Sequence, residues 1–367
     1  MAEDIQQAEQ FHLGHRPELN GLRGVAIILV LFHHAGIPWI HGGHIGVDIF
    51  FVLSGFLITV LLYQEYLRFE NIDLKRFYIR RLLRLTPALG ALLVVFGGYA
   101  LATKSGPALV KSGEVILLTA LYFSDFAIAF DYATLGGLGH TWSLAIEEHF
   151  YLLYPIVLLL LFGKRRPIQI SLTVLSGLIL IIAVNRAALW GPDSQDVARA
   201  YYAFDARSDG LLVGCLLGLL TASGRLPAVK RFMALPAVLI LILASVFVDW
   251  DSPFYAYGLA AINISSAVVL AYVLNSQVKW LSNRLLVWVG TISYGLYLWH
   301  NLIFIIVRER VTESPSGILV LGGIVSVACA ALSYYLLEKP CLRLKERFAP
   351  SAPKNRRFRD PVLEVSA

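Results

Sequence analysis

GEVILLTALYFSDFAIAF, residues 113–130, is the stretch on whose reading the fold turns. It is apolar enough to pass for a membrane-spanning helix, yet it carries Glu114 and Asp125, with Asp131 just beyond. Ten other runs are clearer candidates for the ~20 residues a span requires: 21–39, 44–64, 86–102, 144–163, 168–189, 207–222, 232–248, 254–274, 287–307 and 318–337. Charge arbitrates, because cytoplasmic loops are enriched in Lys and Arg. If 113–130 does not span and the N-terminus is cytoplasmic, 24 of the 31 Lys and Arg lie inside. If it spans, every later loop changes sides and the inside count falls to 13. The reading is an all-α integral membrane protein, a bundle of about ten transmembrane helices with both termini cytoplasmic. Residues 113–130 become a re-entrant or interfacial helix in a long outer loop, and loops of that length usually carry function or structure of their own.

Composition agrees. Hydrophobic residues make up 57% of the 367 and charged residues only 15%, and the mean hydropathy is +0.67. A soluble domain runs near 45–50% apolar and about 25% charged, so the excess fits a surface facing lipid. Cys215, Cys329 and Cys341 lie far apart, with neither a disulfide framework nor a zinc spacing, and no metal site is expected. The polar opening and uninterrupted first apolar run predict no cleavable signal peptide. The net charge of +6 matches basic cytoplasmic loops near anionic lipid. The organisation reads as a short polar N-terminus (1–15), a membrane domain (16–345) and a basic, disordered cytoplasmic tail (346–367).

Ionisable groups inside a membrane are costly and mark function. Arg23 and His34 in GLRGVAIILVLFHH are 11 residues apart. At 100° per residue they share one helix face, roughly 16 Å apart along the axis, with His34 well into the membrane. His34 reads either as a core histidine bonded to a neighbour or as a working imidazole. In GGHIGVDIFFVLSGFLIT (42–59), Asp48 follows a helix start. It serves either the helix N-terminus or the orientation of an imidazole on the first helix.

The basic loop LKRFYIRRLLRLTP (74–87) holds Lys75, Arg76, Arg80, Arg81 and Arg84. It is either a topology signal or a phosphate clamp, since guanidinium groups bind phosphate bidentately. The patch is too short, and too close to the membrane, for nucleic acid. In HTWSLAIEEHFYLLYP (140–155), one of Glu147 and Glu148 must turn from lipid toward the bundle. FDARSDG (204–210) reads as an ion-pair network, and His300 in TISYGLYLWHNL as a structural or supporting histidine.

Together these segments resemble the bacterial integral-membrane O-acyltransferases of acyltransferase family 3, over residues 16–345. Arg23 and His34 match its Arg-x10-His pattern. GGHIGVDIFFVLSGF matches its glycine and GVD-FF-LSGF block, and Arg81 with Arg84 its Arg-x-x-Arg loop. TWSLAIEEHFYLLYP matches its WSL-x-x-E block, and ISYGLYLWH its late aromatic-His segment. The ordered set carries the resemblance; the family's ten helices agree with the charge count.

The resemblance implies transfer of an acyl group, commonly acetyl from acetyl-CoA, to a hydroxyl of an envelope or exported glycan, a lipid-linked sugar or a secondary metabolite. It implies a bacterial cytoplasmic membrane and a donor substrate rather than a permanently bound cofactor. Coenzyme A phosphates are expected on Arg81 and Arg84, supported by Arg80, with Arg23 lining the way in. His34 acts as general base or as acyl carrier, oriented by Asp48 or Glu147. Some members carry an extracytoplasmic hydrolase-like domain. None is read in this sequence, so either a partner acts outside or the membrane domain suffices. The rival classes are a secondary transporter or flippase, which often shows repeated halves not seen here, and the membrane-bound O-acyltransferases, whose motifs differ.

Overall fold

The computed structural model describes residues 14, 16–162, 168–191, 193–249 and 251–348. The short N-terminus, the basic connection 164–166 and the tail beyond 348 lie outside the described residues. Within them the chain is helical, with no strand. Each of the ten expected apolar runs contains a helix: α1 (Pro17–Ala35), α2 (Ile45–Phe69), α3 (Leu74–Thr103), then α4 (Gly106–Ala120) and α5 (Ser124–Ala129) in the long connection. A short turn leads into α6 (Trp142–Phe162), followed by α7 (Ile168–Leu189), α8 (Ser194–Tyr202), α9 (Phe204–Arg207) and α10 (Asp209–Ala222). Next come α11 (Arg231–Phe247), α12 (Phe254–Tyr257), α13 (Leu259–Asn275), α14 (Arg284–Thr291) and α15 (Ser293–Arg310), then the long apolar α16 (Pro315–Leu344). Five helices are long and apolar enough to cross a membrane, six if α14 and α15 form one bent span. The helices α10, α11 and α13 have only 14, 17 and 17 residues.

The run 113–130 is two helices. The chain breaks at Tyr122, which adopts a positive φ of 60°. Ser112, Val115 and Thr119 form the buried stripe of α4, while Val110 and Leu117 stay exposed. The short α5 is tethered to α6, with Asp125 3.4 Å from His149 Nδ1.

Two expected elements changed. The basic stretch 74–87 is not a loop. It forms the first turns of the 30-residue α3, because Lys, Arg and Leu favour helix and the Asp73 carboxylate caps its start on the Arg76 N–H at 3.0 Å. That helix is about 45 Å long, so Arg81 and Arg84 are carried into the body of the bundle. The expected single span 287–307 bends by 71° between α14 and α15, which places Ser293 against α1.

Close packing needs small residues where backbones meet. A Cβ on Gly55 of α2 would collide with the Leu211 carbonyl, and one on Gly214 of α10 with the Val52 carbonyl. These glycines let α2 and α10 run side by side.

Candidate active site

Helix α1 carries Arg23 in its second turn and His34 in its last. Gly36, with φ of 77°, ends the helix, so His34 sits at the C-terminal end rather than deep within it. The helices α2, α3, α6 and α15 close around this face and enclose two adjoining cavities.

The first cavity gathers Arg23, Arg81, Arg84, Glu147, Ser54 and Ser293. Arg23 donates from Nε and Nη2 to the Ser293 hydroxyl at 3.2 and 3.0 Å. The Arg81 guanidinium lies 4.1 Å from the Tyr151 ring centre, a cation–π arrangement that holds it without consuming its charge. None of the three arginines forms an ion pair with a carboxylate among the described residues. Glu147 and Ser54 line the arginine cavity and not the histidine one, so Glu147 is not placed beside His34.

The second cavity, about 150 Å³, is lined by His33, His34, His44, His140, Trp142, Tyr201, Tyr202 and Tyr297. Imidazole rings follow one another: His44–His33 at 4.8 Å, His33–His34 at 5.2 Å, His34–His300 at 4.8 Å and His300–His140 at 5.1 Å between centres. Backbone carbonyls assign their tautomers, since a carbonyl only accepts. Nδ1 of His34 donates to Val30 at 2.9 Å, Nδ1 of His300 to Tyr297 at 2.6 Å, and Nε2 of His140 to Leu298 at 3.1 Å. Neutral His34 therefore keeps Nε2 as a lone-pair acceptor. His300 Nε2 and His140 Nδ1 are buried without a hydrogen-bond partner. No group of three or more His, Cys, Asp or Glu among the described residues has a metal-holding arrangement.

Val47 and Tyr297 line both cavities. The Tyr297 hydroxyl donates to the His140 carbonyl at 2.6 Å and lies 2.6 Å from the Ser143 hydroxyl. The partition is thus pinned to the turn before α6.

Two expected site residues lie elsewhere. Asp48 Oδ1 is 2.8 Å from Arg207 Nη2, both side chains 1% exposed. Arg207 is stacked against Tyr201, Trp142 and Tyr255 at 4.9, 5.6 and 5.6 Å. Asp48 therefore holds an arginine of the aromatic wall and not an imidazole. Arg80 leaves the Arg81 and Arg84 group and pairs with Glu65 at 3.0 Å, while also donating to the Phe348 carbonyl at 2.9 Å. The sequence reading missed His140 and Tyr297 as fellow residues of the His34 cavity, and Arg207 as the support of its aromatic wall. His140 stands next to the recognised TWSL block, but nothing in its spacing marks it.

Three guanidinium groups around one carboxylate, Glu147, next to a histidine with a free ring nitrogen, make a net-positive pocket joined to a base. A model of the acyltransferase domain, acyltransferase family 3, matches residues 16–335, and the chain belongs to this family. Its relatives include the peptidoglycan O-acetyltransferase OatA of Listeria monocytogenes, 33% identical over 88% of this chain and 55% of that protein. OatA of Staphylococcus aureus, an O-acetyltransferase, is 31% identical over 95% of this chain and 61% of that protein. YrhL of Bacillus subtilis, provisionally named for the same peptidoglycan activity, is 35% identical over 90% of this chain and 55% of that protein. The chain thus spans little more than half the length of these relatives. No solved structure matches it.

Proposed function

We propose that this chain transfers an acetyl group from acetyl-CoA to a hydroxyl of a cell-envelope glycan, peptidoglycan being the acceptor named for its relatives. The observation that carries this reading is the junction of the two cavities at Val47 and Tyr297. On one side stand three arginines that share a single carboxylate, Glu147; on the other, His34 with Nε2 free to accept.

In this reading Arg81 and Arg84 clamp coenzyme A phosphates, and Arg23, steadied by Ser293, guides the arm inward. His34 Nε2 takes the proton of the acceptor hydroxyl as its oxygen attacks the thioester carbon. The C–S bond breaks, the ester C–O bond forms, and the proton passes to the departing thiolate. Glu147 balances charge in the arginine cavity. Asp48 and Arg80 contribute through Arg207 and Glu65. The charge count, 24 of 31 Lys and Arg inside when ten runs cross against 13 when an eleventh does, supports ten crossings of the bacterial cytoplasmic membrane with both termini cytoplasmic.

The test is detergent-purified protein with radiolabelled acetyl-CoA and a soluble peptidoglycan fragment, scored for free thiol and for label on the glycan. His34→Ala should lower activity per folded molecule at least about a hundredfold, the scale of a lost general base. His33→Ala should cost much less. Its Nδ1 is already bonded to the His41 carbonyl at 2.8 Å, and it points about 100° away around the helix. Normal activity in His34→Ala refutes the assignment. No thiol release from wild-type protein favours a transporter or flippase.

A further inference from the structure

The His34 cavity is small. At about 150 Å³ it matches the engineered cavity of about that volume that accommodates one benzene, a guest of six heavy atoms. An acetyl group has three heavy atoms, and the CH₂–OH of a primary alcohol acceptor has two. Together they nearly fill such a space, and a longer acyl chain competes with the acceptor for it.

The walls around this space are not equally tethered. Arg207 is fixed by Asp48 and supports Tyr201 and Trp142. Tyr297 is held at its hydroxyl by the His140 carbonyl and by Ser143, and its own carbonyl holds His300. Opposite it, Val47 is only 5% exposed and has no polar tether. Val47 and Tyr297 line both spaces and so flank the direct way from the arginine cavity to His34.

We propose that Val47 and Tyr297 are the residues that limit the transferred group to two carbons. This rests on the acyl-CoA reading above and adds to it the element that selects the acyl chain. The carbonyl carbon must reach the hydroxyl held by His34. The remainder of the acyl chain must then lie between Val47 and Tyr297 or within the His34 cavity. Each added methylene competes with the acceptor for that volume. The bonds exchanged are the same for every donor, C–S for C–O with the proton ending on the thiol, so chain length changes fit and not chemistry.

The experiment measures kcat/KM for acetyl-, propionyl-, butyryl- and hexanoyl-CoA with the full chain in detergent and a soluble peptidoglycan fragment as acceptor. Wild-type protein should discriminate against propionyl by about 10–200-fold, the usual scale for one methylene. Val47→Ala should raise the butyryl-to-acetyl ratio at least about tenfold, and Tyr297→Ala should raise it further. The ratio is the decisive readout, because general damage to the fold lowers all donors together. Tyr297→Phe keeps the ring and should keep the wild-type ratio, and it serves as the control should Tyr297→Ala fail to fold. If acetyl transfer occurs but hexanoyl is used equally well, or if Val47→Ala leaves the ratio unchanged, the partition does not select the chain. If wild-type protein transfers no acetyl group, the acyl-CoA reading fails, and this proposal with it.

Discussion

The interior holds two kinds of arginine. Arg186 and Arg207 are each 1% exposed, and each has a carboxylate at hydrogen-bond distance, Asp209 at 2.9 Å and Asp48 at 2.8 Å. Arg23, Arg81 and Arg84 also face inward, but around one cavity with Glu147, with Arg23 on the Ser293 hydroxyl and Arg81 over the Tyr151 ring. A buried charge without its counter-charge is expensive. The first group satisfies that requirement within the chain and ties helices together: Asp48 at the start of α2 to the end of α9, and Arg186 of α7 to the start of α10. The second group meets it only in part, with one carboxylate, Glu147, among three guanidinium groups, and the remaining positive charge suits an anion from outside. Burial of an arginine does not separate structure from function; a carboxylate for each guanidinium does.

The largest expected effect would break the first group. Arg207→Ala leaves Asp48 buried and alone, a loss of about 3–5 kcal/mol for a broken buried pair. The variant should be poorly recovered and melt well below wild type in detergent. The double variant Asp48→Leu with Arg207→Met should regain much of that stability, because matched apolar side chains remove both unpaired charges. A wild-type melting temperature for Arg207→Ala would place it with the ligand-receiving arginines instead.

The second group predicts the opposite pattern. Arg81→Ala and Arg84→Ala should raise the KM for acetyl-CoA at least about tenfold, or about 1.4 kcal/mol, with little change in melting temperature. Lysine should rescue poorly, for want of the bidentate fork. Unchanged donor kinetics in both variants would reduce them to a topology signal.

Arg80 sharpens the boundary with the smallest effect. Adjacent in sequence to Arg81, it belongs with the paired arginines through Glu65. Arg80 is 13% exposed and Glu65 4%, so Arg80→Ala should lower the melting temperature modestly, less than loss of the fully buried Arg207, and leave the KM for the donor unchanged. A rise in KM equal to that of Arg81→Ala would return it to the donor site.

Much of this was legible in the chain. Helical period is a local property, so the 11-residue spacing placed Arg23 and His34 on one face, and apolar length and charge bias marked the helical runs and the exception at 113–130. Local signals misled where a neighbour decided the outcome. The basic stretch 74–87 read as a loop because charges cluster there, although its residues favour helix. The apolar run 287–307 read as straight, although it bends where α15 meets α1.

The sequence by itself determined an all-helical membrane protein, a member of its acyltransferase family, and singled out His34 and the Arg81–Arg84 pair as candidates. Only the tertiary structure decided that Asp48 belongs to Arg207, Arg80 to Glu65, and Glu147 to the arginine cavity. It alone brought His140 and His300 to His34 and set Tyr297 between the two cavities. The reason is physical. Backbone periodicity dictates which residues share a face, but a buried polar group takes whichever partner the packing of distant helices brings within about 3 Å.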